Sequence, residues 1–301
     1  MGVIPPLNAQ DWQTLFYQYQ QYPEFKMVHS TMGLAEFKRI FYFEYSHRLL
    51  GRFIGLAFII PLIIFWIKGY LDRALLKKML IIFILGGAQG VLGWYMVQSG
   101  LVDEPKVSQY RLTAHLGLAI ALYGSLIWLA TDLFLKNRLD KHTQGSIRIS
   151  AHATMLLCFV FFMILSGGLV AGLKAGFVWN TFPLMGNTFI PPGLYEMAPF
   201  WISALEDMTT VQFNHRILAY IIFVVATVLL VRLMVNDSYA ILQRVMLATY
   251  ISLCCQIILG ITTILFAVPV VIGSLHQACA VLVFTLVVVL TKLARFLELP
   301  S

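Results

Sequence analysis

Apolar runs of about 20 residues, the length at which a helix crosses the hydrocarbon core of a bilayer, recur along the whole chain. Seven are read, at 47–67, 79–98, 112–135, 150–172, 213–235, 245–267 and 272–292. The runs are continuous rather than alternating, which excludes a β-barrel. Composition agrees: 59% of residues are hydrophobic and 12% charged, against about a quarter charged in soluble domains. The fold class is an all-α polytopic membrane protein.

The net charge of +7 would suit a nucleic-acid partner only if it formed a patch. It does not. Lys68, Arg73, Lys77 and Lys78 occupy one connection, and Lys136, Arg138, Lys141 and Arg148 another. Arg232 and Arg244 flank a third, and Lys292 and Arg295 follow the last span. The intervening connections hold only Lys106, Arg111 and Lys174. That alternation follows the positive-inside rule, so the C-terminus is expected on the cytoplasmic or matrix side and residues 1–46 outside. The partner implied is a lipid bilayer, with no nucleic acid. Cys158, Cys254, Cys255 and Cys279 all fall inside spans, so no external disulfide framework is expected. Residues 1–46 lack an apolar core, and no cleavable signal peptide is expected.

The spans repeat. Phe41–Arg52 (FYFEYSHRLLGR) and Val211–Tyr220 (VQFNHRILAY) both place an aromatic residue ahead of a His-Arg pair. Downstream, Gln89-Gly-Val-Leu-Gly93 matches Gln256-Ile-Ile-Leu-Gly260, and His115 matches His276. The offsets are 168, 167 and 161 residues for His47/His215, Gln89/Gln256 and His115/His276. Two tandem pseudo-symmetric helix bundles account for this: an N-terminal one over 1–148 and a four-helix one over 149–301. Aligning Ile4-Pro5-Pro6 with Ile190-Pro191-Pro192 places the partner of the 150–172 span before residue 1. Seven spans of an expected eight are therefore anticipated, through truncation or loss of the first.

His47, His115, His215 and His276 recur at one depth, near the outer ends of their spans. Imidazole in a span is costly and faces a bundle interior or a cofactor. Paired imidazoles from facing helices suit axial ligation of a heme iron, whereas zinc requires three or four protein ligands close together. Two sites are implied, His47/His115 and His215/His276. His29, His142 and His152 read as solvated or interfacial residues. Arg48, Arg52, Arg111 and Arg216 lie near the same outer ends, where two readings stand: pairing with heme propionates or snorkelling to lipid phosphate. Glu44 precedes His47 by three residues, which places both on one helical face. It is a proton-transfer candidate or a helix-start residue. Gln212 holds the matching position and cannot titrate. Gly86, Gly87, Gly90 and Gly93, with Gly167, Gly168 and Gly172, serve close helix packing or make room for a macrocycle.

Together these residues resemble heme A synthase of the mitochondrial and proteobacterial type. The resemblance runs through Glu36-Phe-Lys38, Glu44-Tyr-Ser-His-Arg48, Leu92–Val97, Val107–Leu112 with His115, Gly168–Gly172, Asn180–Met185, Asn214-His-Arg216 and Leu275-His-Gln277. It implies oxidation of the C8 methyl of heme O to a formyl group, giving heme A for cytochrome c oxidase. It implies that His47 and His115 face the substrate heme, with Glu44 beside them as acid/base, and that His215 and His276 ligate heme b. Arg48 and Arg216 adjoin those ligands. Another branch of the family carries paired cysteines in external loops, which this chain lacks. The implied partners are heme O synthase and cytochrome c oxidase assembly factors, in a bacterial inner or mitochondrial inner membrane, and self-association is compatible with such a protein. A di-heme cytochrome b-type electron carrier and a non-catalytic heme-binding protein are the competing readings. The carrier predicts no titratable group near only one site.

Overall fold

A computed structural model describes residues 4–102, 107–136, 147–235 and 240–298. Lys106, Arg138, Lys141 and His142 lie outside the described residues, as does the side chain of Arg148. The described residues are helices and loops apart from an isolated bridge between Met185 and Thr188. The helices are α1 (Ala9–Gln20), α2 (Pro23–Val28), α3 (Leu34–Ile67), α4 (Arg73–Val102), α5 (Gln109–Lys136), α6 (Ile147–Leu173), α7 (Ser203–Glu206), α8 (Met208–Val235), α9 (Ala240–Leu265) and α10 (Val270–Glu298). Seven of them, α3 to α6 and α8 to α10, are long and apolar enough to cross a membrane. The chain is a multi-pass membrane protein.

Each span corresponds to an apolar run, but the first begins well before its run. α3 has 34 residues, about 51 Å at 1.5 Å per residue, against a hydrocarbon core of about 30 Å. Its first turns therefore project beyond the apolar layer. Hydropathy misses them because Leu34–Ser46 carries charge and aromatic rings rather than aliphatic runs. The helix starts where the Glu36 carboxylate accepts a hydrogen bond from the Gly33 N–H, 3.1 Å.

The chain divides into two compact units, Met1–Leu118 and Ala119–Ser301. In the first, α1 folds onto the N-terminal part of α3, and α2 packs on α1 and α4. Trp12 meets Phe41 edge-on at 4.9 Å, Tyr19 stacks on Phe37 at 4.9 Å, and Phe16 meets Phe25 edge-on at 5.8 Å. Phe37, Phe41 and Tyr45 recur every four residues, so one helical face carries the whole cluster. α1 has 12 residues, about 18 Å, too short to span. α3 packs on α4 below.

In the second unit α8 packs on α6 and α9, and α10 packs on α9 and α6. The four helices thus form a ring with α8 and α10 at opposite corners. Val283, Val287, Leu290 and Thr291 of α10 are buried in it, and the Thr291 hydroxyl donates to the carbonyl of Ala153 on α6 at 3.0 Å. The connection from α6 to α8 is ordered by its own hydrogen bonds. Asn180 Nδ2 donates to the carbonyls of Gly176 and Ile264, both at 3.0 Å, which ties the loop to the end of α9. Gly186 has φ +70, and a Cβ there would come within 2.6 Å of the Trp179 ring, so a side chain is excluded.

Candidate functional site

The duplicated glutamine and glycine take their meaning from the histidines. They sit on α4 and α9, one turn apart, so both face the following span. Gln89 Nε2 lies 3.4 Å from Nε2 of His115 on α5 and donates to the His115 carbonyl at 2.9 Å. Gln256 Nε2 lies 3.4 Å from Nε2 of His276 on α10. One turn on, a Cβ at Gly93 would come within 2.9 Å of His115 Cε1, and one at Gly260 within 2.8 Å of His276 Cε1. Real Cβ atoms do not approach so closely. Only glycine lets each ring lie against the neighbouring helix backbone.

Both rings keep an unanswered donor or acceptor. Nδ1 of His115 and Nδ1 of His276 are buried without a hydrogen-bond partner, as are Oε1 of Gln89 and Oε1 of Gln256. Buried polar atoms are normally paired, so the same atoms orphaned in both halves indicate sites made for another group.

The other two histidines differ. His215, part-buried on α8, has Nδ1 3.1 Å from the Ser166 hydroxyl of α6. It lies within electrostatic reach of His276, as His47 does of His115. His47 is exposed on α3. The structure therefore brings together both pairs expected from the sequence.

The residues ahead of the histidines diverge. Glu44 and Arg48 form an ion pair one turn apart, 3.4 Å. Glu44 lies well inside α3, so its alternative reading as a helix-start residue is corrected; Glu36 does that work. Gln212 is buried and donates from Nε2 to the Trp179 carbonyl at 3.0 Å. Arg216 is also buried and donates to the carbonyls of Thr181 and Trp179, both at 2.9 Å, while its Nε has no partner. In this half the glutamine and arginine hold the 179–184 segment over the start of α8. Arg111 donates to the Tyr95 carbonyl at 2.9 Å and lies over the Tyr95 ring, whereas Arg52 is exposed.

Three participants escaped the sequence reading. Ser166 precedes the glycine-rich end of α6 with no motif to mark it, and Trp179 acts through its backbone. Glu24 of α2 was passed over in a polar stretch. It lies 3.9 Å from His29, and burial raises its pKa, with the His29 charge lowering it and the Glu44 charge raising it. Glu24 thus lies within electrostatic reach of Glu44. Among the described residues, no three His, Cys, Asp or Glu side chains gather as a metal cluster.

Comparison with known proteins gives one answer. Residues 1–288 match the model of the COX15-CtaA family, described as cytochrome oxidase assembly protein. The chain is 47% identical over 285 residues to a heme A synthase from Nitrosospira multiformis, covering 95% of this chain and 80% of the relative. It is 44% identical over 292 residues to one from Nitrosomonas eutropha, with the same coverage. It is 41% identical over 283 residues to one from Parvibaculum lavamentivorans, covering 94% of this chain and 80% of the relative.

Proposed function

The chain belongs to the COX15-CtaA family of cytochrome oxidase assembly proteins, and on that footing we propose that it is an enzyme of heme A synthesis. It acts as an oxidoreductase on the C8 methyl of heme O, which becomes the formyl group of heme A. The observation that carries this reading is the duplicated histidine cradle whose two copies differ at one titratable residue, Glu44 against Gln212.

The residues fit heme. Each half offers two imidazoles, one of them set against a glycine with a buried, unpartnered ring nitrogen. Heme b, held by His215 and His276 in the half spanning 149–301, would supply an electron-transfer centre. His47 and His115, in the half spanning 1–148, face the substrate heme O. Gly93 and Gln89 fix the His115 ring, so it is aimed before substrate enters.

Oxidation of a methyl carbon to a formyl group, with oxygen taken from water and the electrons passed to an external acceptor, releases protons, and a nearby base accelerates their removal. Glu44 is that base, held one turn from Arg48 by an ion pair at 3.4 Å. Gln212 cannot take a proton. Its amide serves the Trp179 carbonyl instead, and Arg216 holds the same segment as a cover for the cofactor half. The alternation of basic connections supports an orientation with the C-terminus on the cytoplasmic or matrix side of a bacterial or mitochondrial inner membrane. Heme O synthase is the supplier its substrate requires. A di-heme electron carrier accounts for four histidines but gives no role to a carboxylate beside only one pair.

The test is pigment extraction from the purified chain after incubation with heme O. Heme A, identified by its mass and its formyl-shifted spectrum, is the expected product. Recovery of heme O alone, with heme b bound, would favour the electron carrier.

A further inference from the structure

At the end of the second unit away from its histidines, α5, α6 and α10 bring several charges together. Asp132 is only 9% exposed, and it pairs with Lys136 at 3.1 Å and Lys292 at 2.5 Å. Lys292 Nζ stands 5.0 Å from the centre of the Trp128 ring, and Arg295 Cζ stands 5.3 Å from it. Arg295 also donates to the Thr154 hydroxyl at 3.1 Å. Three cations therefore converge on one indole and one carboxylate, which leaves two positive charges in excess. Asp132 is the one carboxylate salt-bridged to them among the described residues.

The cluster is built rather than incidental. Asp132 and Trp128 lie one turn apart on α5, so one face presents both the anion and the ring. Lys292 is half-enclosed, with 15% of its side chain exposed, whereas Lys136 is 60% exposed and Arg295 is exposed. The inner lysine makes the shorter of the two contacts with Asp132. Asp132 supplies one negative charge to the two lysines it pairs with, so positive charge stays in excess at the exposed Lys136 and at Arg295 beside the ring, at the end of the spans where basic connections gather. An indole in the interfacial zone with an excess of positive charge around it matches an acidic phospholipid headgroup.

We propose that Lys136, Arg295 and Trp128 form a binding site for one acidic phospholipid, with Lys292 and Asp132 as its fixed floor. The phosphate takes the two outer cations, and the acyl chains follow the apolar faces of α5 and α10 into the bilayer. An acidic lipid is the occupant argued for because it alone joins a phosphate to a tail in this plane. A protein partner would meet only the headgroup side.

The test is native mass spectrometry of the full chain carried from membranes containing phosphatidylglycerol and cardiolipin into neutral detergent. The wild type is expected to retain one acidic lipid. Lys136→Gln with Arg295→Gln should weaken retention about fivefold per cation and about thirtyfold together. Lys77→Gln with Lys78→Gln removes the same charge from exposed positions elsewhere and should leave retention unchanged. Arg295→Lys, which keeps the charge, should retain the lipid and so separates charge from folding. Equal loss in both double variants would reduce the effect to bulk surface charge and overturn the site. Retention unaffected by Lys136→Gln with Arg295→Gln would overturn it too. Displacement by inorganic phosphate at constant ionic strength would mean a free-anion site instead.

Discussion

A glutamine amide can donate to a carbonyl and a carboxylate cannot, and that difference separates Glu44 from Gln212 at matched positions in the repeat. Gln212→Glu should lose the donor to the Trp179 carbonyl and leave a charge in a buried site. Heme b content, read from the pyridine hemochrome spectrum, should fall more than turnover per remaining heme. His215→Ala or His276→Ala should abolish a low-spin bis-histidine spectrum, since each would remove one of the two ligands proposed for heme b. An unchanged spectrum in either variant would refute the assignment. The glycines give a finer test. Gly260→Ala places a methyl group within 2.8 Å of His276 Cε1 and must displace the ring, whereas a Cβ at Gly86 meets nothing within 4 Å. The heme spectrum should shift in Gly260→Ala and not in Gly86→Ala.

Among the elements, α3 shows where hydropathy reading stops. The apolar run from residue 47 was legible, but Leu34–Ser46 was read as an external segment because its helix is amphipathic and aromatic. Its partners, Trp12, Phe16 and Tyr19, lie on a helix too polar to register as a span. The cluster has a pH signature. Burial, helped by the Glu24 charge, pushes the Tyr19 phenol up to about 12, and its hydroxyl has no partner. A raised folded-state pKa gives stability that is complete below the unfolded value of about 10 and lost as pH rises through about 12. Hydrogen exchange in α1 and α2 should therefore quicken across that window in the wild type, and Tyr19→Phe should flatten the change. The α6–α8 connection was legible only as motif. Asn180–Met185 stood out as a string, but its contacts run through backbone carbonyls, which leave no mark in a sequence.

Over the whole molecule, the seven spans, the duplicated pattern and both histidine pairs could be read from residue order alone, because membrane length and repeat offsets are one-dimensional facts. The reason for the repeated Gln and Gly could not, since a glycine against an imidazole is a fact of close approach between helices. The asymmetry at Glu44 was visible as a single letter, and the structure supplies its physical content, an ion pair in one half and a loop anchor in the other. The central claim is that the two cradles share a construction while only one performs chemistry. The most direct test is heme O to heme A turnover in Glu44→Gln beside the wild type, with heme b measured in the same samples. Turnover should fall about 10²–10⁴-fold, as for loss of a general acid or base, with heme b content unchanged. Near-normal turnover in Glu44→Gln, with heme b intact, would contradict the account.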